Sequence, residues 1–216
     1  MLTIAQRATN GVIHAIDHVA ILPTMVGREL SLLPNVFSTL LLAYERTDFV
    51  KFIHNIKMEG STVFAPTNNA FSKLGLKANA FLFNTEKGKV ILKALLKYQI
   101  VANVTLYTDE VYWSDDAESE GKKHDHFDLV TLLQEKHMAV DVDRFGPFVT
   151  MKVNGDGRVV VRDMVAKNGV IQVVDKVPLP PHEHREGEEV SVETLVDSLW
   201  DYIEEDEQAA WSDNEL

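Results

Sequence analysis

The chain has 216 residues, 45% hydrophobic and 25% charged, with no cysteine, so disulfides, cysteine-ligated zinc and thiol catalysis are excluded. That length holds one or two domains with a core that needs no covalent staples. The net charge of −12 belongs to the C-terminal tail: residues 1–181 carry 20 acidic and 20 basic residues, residues 182–216 carry 13 acidic and one basic, and the neutral body offers no basic surplus to nucleic acid.

Near the start, NGVIHAIDHVAILP (Asn10–Pro23) foreshadows NGVIQVVDKVPLPP (Asn168–Pro181), with seven of fourteen positions identical at an offset of 158. Each copy reads as a strand: β-branched residues follow an Asn-Gly turn signal, and a proline closes the ladder. No basic-then-apolar leader opens the chain. Apolar runs such as LSLLP and STLLLAY are too short to span a bilayer.

After Pro34, apolar residues at helical spacing from Phe37 to Ile53 predict two short helices broken near Thr47–Asp48. GSTVFAP reads as a short buried strand, Thr62 to Ala65, ended by Pro66; Thr67 or Asn68 then caps a helical turn that Gly75 stops. KGKVILKALLKYQ, Lys87 to Gln99, predicts a helix with Val90, Ile91, Ala94, Leu95 and Tyr98 on one face. Beyond Ile100 the chain turns β-rich. LYTDEVYW is expected as a strand and SDDAESEGKKHDH as a polar loop. HFDLVTLL with HMAVDVD reads as a strand pair, and FVTMKVNGDGRVVVRDMV as a hairpin turned at Asn154–Gly157. Helices first and strands after argue for an α+β fold. PPHEHREGEE is a linker. In SVETLVDSLWDYI, Ser191 caps a helix whose stripe Val192, Leu195, Val196, Leu199, Trp200 and Ile203 needs a partner: the body, another chain, or a second copy.

Three segments, TVFAPTNNAF (Thr62–Phe71), LLKYQIV (Leu95–Val101) and NGVIQVVDKV (Asn168–Val177), occur in the order and spacing of a fasciclin domain, which the chain thereby resembles. The first matches the family pattern T-V-F-A-P-T-N-x-A-F throughout. In the second, Gln99 replaces the histidine of a Tyr-His motif; in the third, Gln172 replaces the histidine of N-G-V-I-H-x-I-D, which the first copy keeps as His14. The resemblance implies helices packed on a β-wedge of two short sheets, one complete domain over residues 34–181, and residues 1–23 as the last strand of an upstream repeat. It leaves 182–216 as an acidic linker and amphipathic tail, and the true N-terminus is expected upstream of Met1.

The same resemblance implies a non-catalytic adhesion or protein-interaction module, secreted or extracellular, whose binding contacts would fall on Tyr98, Gln99, Asn168, Gly169 and Asp175. Its partners would be other proteins or matrix and cell-wall components, not nucleic acid, and a membrane-associated partner or self-association through 191–203 would use the tail. No cofactor is implied. Two variants follow from fungal and lumenal relatives of that type: an accessory protein to a secreted oxidase in a biosynthetic pathway, or a protein of the vacuolar lumen.

Read from the residues alone, the motifs are structural. Val63 and Phe64 belong to a core, and Thr62, Pro66, Thr67, Asn68 and Phe71 shape the strand-to-helix turn. Tyr98 ends an apolar face and reads as a core tyrosine with a satisfied hydroxyl. Asp175 has no second carboxylate spaced for acid–base work and reads as a hydrogen-bond acceptor. Gln99 and Gln172 can hydrogen-bond but cannot take up a proton near neutral pH. His124-Asp125-His126 and His182-Glu183-His184 lie in polar segments with no rigid element to set metal geometry, so no metal site is expected. The NGDG turn lacks the remaining ligands of a calcium loop. Asn103-Val104-Thr105 is the one N-glycosylation sequon.

Overall fold

The computed structural model describes residues 2–16, 19, 21–54, 56, 58–108, 123–133, 136–145, 148–181, 191–200 and 203. The first element is a hairpin, β1 (Leu2–Ala8) and β2 (Gly11–Ile16), which forms its own two-stranded sheet. Sequence reading had placed only the second of these strands.

The helices come next: α1 (Val26–Ser31), α2 (Pro34–Arg46) and α3 (Phe49–His54). Pro34 stands at the first turn of α2, where its missing N–H costs nothing. The expected break between α2 and α3 is present, with Asp48 at φ +50°. Strand β3 (Ser61–Pro66) leads to α4 (Asn68–Ser72), and the Thr67 hydroxyl caps α4 by accepting from the Ala70 N–H at 3.1 Å. Helix α5 (Leu76–Asn84), which the periodicity had not shown, packs against α6 (Glu86–Tyr98). Gly88 permits that packing, because a Cβ there would lie 1.9 Å from the Phe81 carbonyl oxygen. Helix α6 is buried far more broadly than one stripe: Ile91, Leu92, Ala94, Leu95, Leu96 and Tyr98 are all inside.

Strands β4 (Ile100–Ala102), β5 (Lys123–Val130), β6 (His137–Phe145), β7 (Phe148–Val153), β8 (Gly157–Ala166) and β9 (Gly169–Val174) complete a seven-stranded sheet with β3, in the order β4-β3-β9-β8-β7-β6-β5. Only β3 and β9 run parallel, in the register Thr62↔Val170 through Pro66↔Val174. All positions of both strands are buried, including the polar Ser61, Thr62 and Gln172, which must therefore find partners inside the fold. Between β7 and β8 the pairing is confined to Lys152↔Arg158 and Val153↔Gly157. That short joint divides the sheet into a β4-β3-β9-β8 half and a β7-β6-β5 half, and the chain is α+β as expected. The expected strand pair is β5–β6 and the expected hairpin is β7–β8.

Two local expectations need correction. Leu106–Thr108 form no strand, because their backbone donors go to side chains: Leu106 N–H to the Thr62 hydroxyl at 2.9 Å and Thr108 N–H to the Asp163 carboxylate at 3.0 Å. The remainder of LYTDEVYW, and 114–122 of the expected loop, lie outside the described residues. Lys123–His126, assigned to that loop, belong instead to β5, where the ladder with β6 runs from Lys123↔Arg144 to Val130↔His137.

Segments beyond 34–181 join the same core. Val26 and Leu30 of α1 are buried, and α1 packs on β9. Helix α7 (Val192–Leu199), capped by Ser191 through the Thr194 N–H at 3.0 Å, lies on α5 and α6. Leu195, Leu199 and Ile203 are buried there. Of the three possible partners for this stripe, the structure supplies the body. Val192, Val196 and Trp200 of the same stripe remain part-exposed. Leu199→Ala should lower the free energy of unfolding by about 2–4 kcal/mol in urea titrations, as for other leucines cut from a closed core. A change below roughly 0.5 kcal/mol would mean that α7 does not belong to the core.

Candidate functional site

The motif residues are engaged in building the β3–β9 centre. The Thr62 hydroxyl donates to the Val104 carbonyl at 2.8 Å and accepts from Leu106 N–H, and Phe64 is fully buried. Pro66 is the last residue of β3, and the next residue, Thr67, starts the cap of α4. Asn68 ties α4 to α2, accepting from Thr39 N–H at 2.8 Å and donating to the Asn35 carbonyl at 3.1 Å. Phe71 is buried with its ring edge-on to Phe83. At the β8–β9 turn, the Asn168 side chain accepts from Val26 N–H at 2.9 Å and so fixes the start of α1. The Asn168 carbonyl accepts from the Ser61 hydroxyl at 3.0 Å. Gly169 is required here: its φ is +152° and a Cβ would lie 2.1 Å from the Ser61 carbonyl oxygen.

The two glutamines that stand where the family pattern has histidine meet opposite fates. Gln172 is fully buried and fully engaged: its Oε1 accepts from Asp163 N–H at 3.0 Å, and its Nε2 donates to the Leu106 carbonyl and to Asp163 Oδ1, each at 2.9 Å. Asp163 sits at φ +59° in the irregular stretch of β8 between Val161 and Met164. Its carboxylate also takes the Thr108 N–H and hydroxyl, while Arg144 donates to the Thr108 carbonyl at 3.0 Å. Gln99 is also buried, but neither atom of its amide makes a hydrogen bond. Beside it, Tyr98 is buried with its hydroxyl donating to the His137 carbonyl at 3.1 Å and accepting from Asn154 at 2.9 Å. Burial pushes the Tyr98 phenol up to about 12, against the opposing pull of the Asn154 hydrogen bond. Asn154, at φ +49°, also donates to the Leu179 carbonyl and exchanges bonds with the Ala139 backbone.

Asp175 lies at the far end of β9 from Asn168, so the family-implied residues do not gather into one site. Its Oδ1 accepts from Arg158 N–H at 2.8 Å, and its Oδ2 is 3.4 Å from both Lys73 Nζ and the Arg158 guanidinium. Burial alone would raise the carboxyl, but the Arg158 N–H and the Lys73 charge outweigh it and hold the group below the ordinary value. Asn103 is exposed at φ +60°, with its side-chain oxygen accepting from Glu59 N–H at 2.9 Å. His124 and His126 are on β5, a rigid element after all; His182–His184 lie outside the described residues. Among the described residues no group of three could hold a metal ion.

Sequence reasoning missed Asn154, Asp163 and Thr108. Asn154 was visible only as a turn residue, and the one signal for Asp163 was a charge interrupting the apolar run of β8. It also missed how far the repeat extends. The β1–β2 hairpin pairs Ala8↔Gly11, Arg7↔Val12 and Gln6↔Ile13, and β8–β9 pairs Ala166↔Gly169, Val165↔Val170 and Met164↔Ile171 at the same offset of 158. Both hairpins then slip register. Their surroundings differ: Val170, Ile171 and Val177 are buried, whereas Val12 and Ile13 are exposed and Val19, Ile21 and Leu22 are 85–90% exposed. This band is the largest difference between the copies and the candidate interaction surface.

Two expected outcomes follow. Gln172→Met should cost about 2–4 kcal/mol by orphaning buried partners, while Gln99→Met should leave stability unchanged or raise it by about 1 kcal/mol, since it removes an unpaired buried amide. Chemical denaturation of both variants checks the contrast; equal losses would contradict it. Asp175→Asn should cost about 1–2 kcal/mol near pH 7. A depressed carboxyl contributes above its unfolded value, near 3.9, and loses that contribution as pH falls through its folded value. The gap between wild type and variant should therefore narrow as the pH falls below the unfolded value in melting curves taken against pH.

Comparison with known proteins agrees with this architecture. A family profile described as the fasciclin domain matches residues 35–180. The chain is 32% identical over 230 aligned residues to "Aurofusarin biosynthesis cluster protein S" of Gibberella zeae, covering 92% of this chain and 56% of that protein. It is 30% identical over 176 residues to human periostin, covering 81% of this chain and 18% of periostin. The chain thus spans little more than half of one relative and a fifth of the other. In structure it resembles a FAS1 domain pair from the insect cell adhesion molecule fasciclin I, with a TM-score of 0.57 at 22% identity, over 82% of this chain and 57% of that one. The chain belongs to the fasciclin domain family.

Proposed function

We propose that the protein is a non-catalytic adhesion or protein-interaction module at a cell surface, in a matrix or on a lumenal membrane face. The fasciclin match over residues 35–180, with the similarity to periostin, carries this reading, and the exposed first copy of the repeated hairpin marks where a further repeat would sit. That copy presents to solvent the apolar positions that the second copy covers with β3 and its surrounding helices. Its natural cover is a strand of β3 chemistry from a further fasciclin repeat, which makes residues 1–23 the closing hairpin of that repeat. The complete unit is residues 34–181, with α1 and α7 packed on it. The motif residues other than Gln99 support the reading from the other side, since their polar atoms are spent on internal bonds. The N-linked sugar acceptor is Asn103, exposed beyond the short outer strand β4. Partners are other proteins or cell-wall and matrix components, and the setting is extracellular or vacuolar. Among the described residues no helix is long and apolar enough to cross a membrane.

The test is attachment of cells or cell-wall fragments to surfaces coated with the chain, with albumin as control. Attachment above the control is expected. Attachment no greater than on albumin would overturn the adhesion reading. A second reading, accessory to a secreted oxidase in a biosynthetic pathway, is favoured by the similarity to the aurofusarin cluster protein over most of this chain. It predicts that product yield from such a pathway falls on deletion of the gene while the oxidase alone stays active on a simple phenol.

A further inference from the structure

Strand β6 alternates buried and part-exposed positions, with Met138, Val140 and Val142 turned inward and Asp141 and Asp143 on the outer face. Opposite them, β5 turns Leu129 inward and presents His124, His126 and Asp128 outward. The result is a ladder of complementary groups across the outermost strand pair of the sheet. His124 Nδ1 is 2.9 Å from Asp143 Oδ1, and His126 Nδ1 is 2.6 Å from Asp141 Oδ1. The remaining contacts are looser: His124 Nε2 to Asp141 at 3.6 Å and His126 Nε2 to Asp128 at 3.5 Å. The next strand, β7, sets Lys152 opposite Asp141 and Thr150 opposite Asp143.

Three carboxylates on one small face repel one another unless cations lie between them. Lys152 supplies one fixed cation. His126 supplies another only when protonated. We propose that the ladder is a proton-dependent clamp that holds the edge strand β5 onto β6 in acidic surroundings and loosens it toward neutral and alkaline pH, with the His126–Asp141 pair at its centre.

The direction of the dependence follows from the environment. The hydrogen bond to Asp141, aided by the charges of Asp141 and Asp128 and opposed by a smaller burial effect, holds His126 above its ordinary value of 6.5. A group raised in this way contributes fully below its unfolded value and loses its contribution as pH rises through its folded value. The clamp is therefore tight at pH 5.5 and released on the alkaline side of 6.5. An extracellular wall or a vacuole lies on the tight side, although the inference does not depend on the adhesion reading.

Amide hydrogen exchange tests it, with rates corrected for intrinsic base catalysis. In the wild-type chain, protection of the β5 amides should fall about fivefold between pH 5.5 and 8, the scale of two exposed cross-strand charge pairs, while α6 amides stay constant. His126→Gln keeps a hydrogen-bonding side chain but no titratable charge, and should flatten the β5 profile. Asp141→Asn, acting from the other strand, should flatten it too and stands in if the first variant folds poorly. A flat profile in the wild type overturns the clamp. So does an unchanged pH dependence in both variants.

Discussion

The parallel pairing of β3 with β9 is the contact on which the rest of the molecule depends. It joins segments more than a hundred residues apart and buries every residue on both strands. A parallel pair has no short connection, so everything between these strands serves as a crossover or packs on them. The pairing also explains why the recognisable motifs are where they are. Thr62, second residue of the strand, collects the chain after β4, Thr67 and Asn68 turn it into α4, and Gly169 gives Ser61 room to approach the β8–β9 turn. The motif residues thus tie neighbouring elements together through hydrogen bonds, as their residue types suggest.

Around that centre the polar residues divide into two classes. Gln172, Asp163, Thr108 and Arg144 form a connected buried network in which Asp163 adopts a left-handed backbone conformation to direct its carboxylate. Asn154 does similar work for Tyr98, joining α6, the β7–β8 turn and the chain end after β9. Gln99 is the exception, buried without a partner. A residue that replaces histidine in two motifs has thus been absorbed fully at one place and left unsatisfied at the other. Both residues are buried, which directs attention from the motifs to the surfaces, above all to the His–Asp face of β5 and β6.

The order of elements was largely legible in the sequence because most obey simple periods. Helices α2, α3, α6 and α7 and the strand pairs β5–β6 and β7–β8 announce themselves by spacing and turn residues. What escaped has a physical cause in each case. Strand β1 carries a mixed pattern and is defined only by its partner β2. Helix α5 has weak amphipathic character because its exposed positions include the apolar Leu76 and Ala80. Leu106–Thr108 looked like a strand from composition, but side chains of Thr62 and Asp163 took the donors that a ladder would have used. His124 and His126 looked like loop residues because polar alternation on the solvent face of an edge strand resembles a polar loop when only one strand is read.

By itself the sequence determined the family, the α+β class, the repeated strand and the absence of thiol chemistry, since motif order and residue type do not depend on folding. It also determined that α7 would need cover, because a stripe of six apolar side chains cannot remain in water at no cost. Only the tertiary structure decided what that cover is, that Gln172 is satisfied and Gln99 is not, and that the same hairpin is buried in one copy and bare in the other. These outcomes turn on which groups meet across distances of a few ångströms between segments far apart in the chain, and no local pattern encodes such meetings.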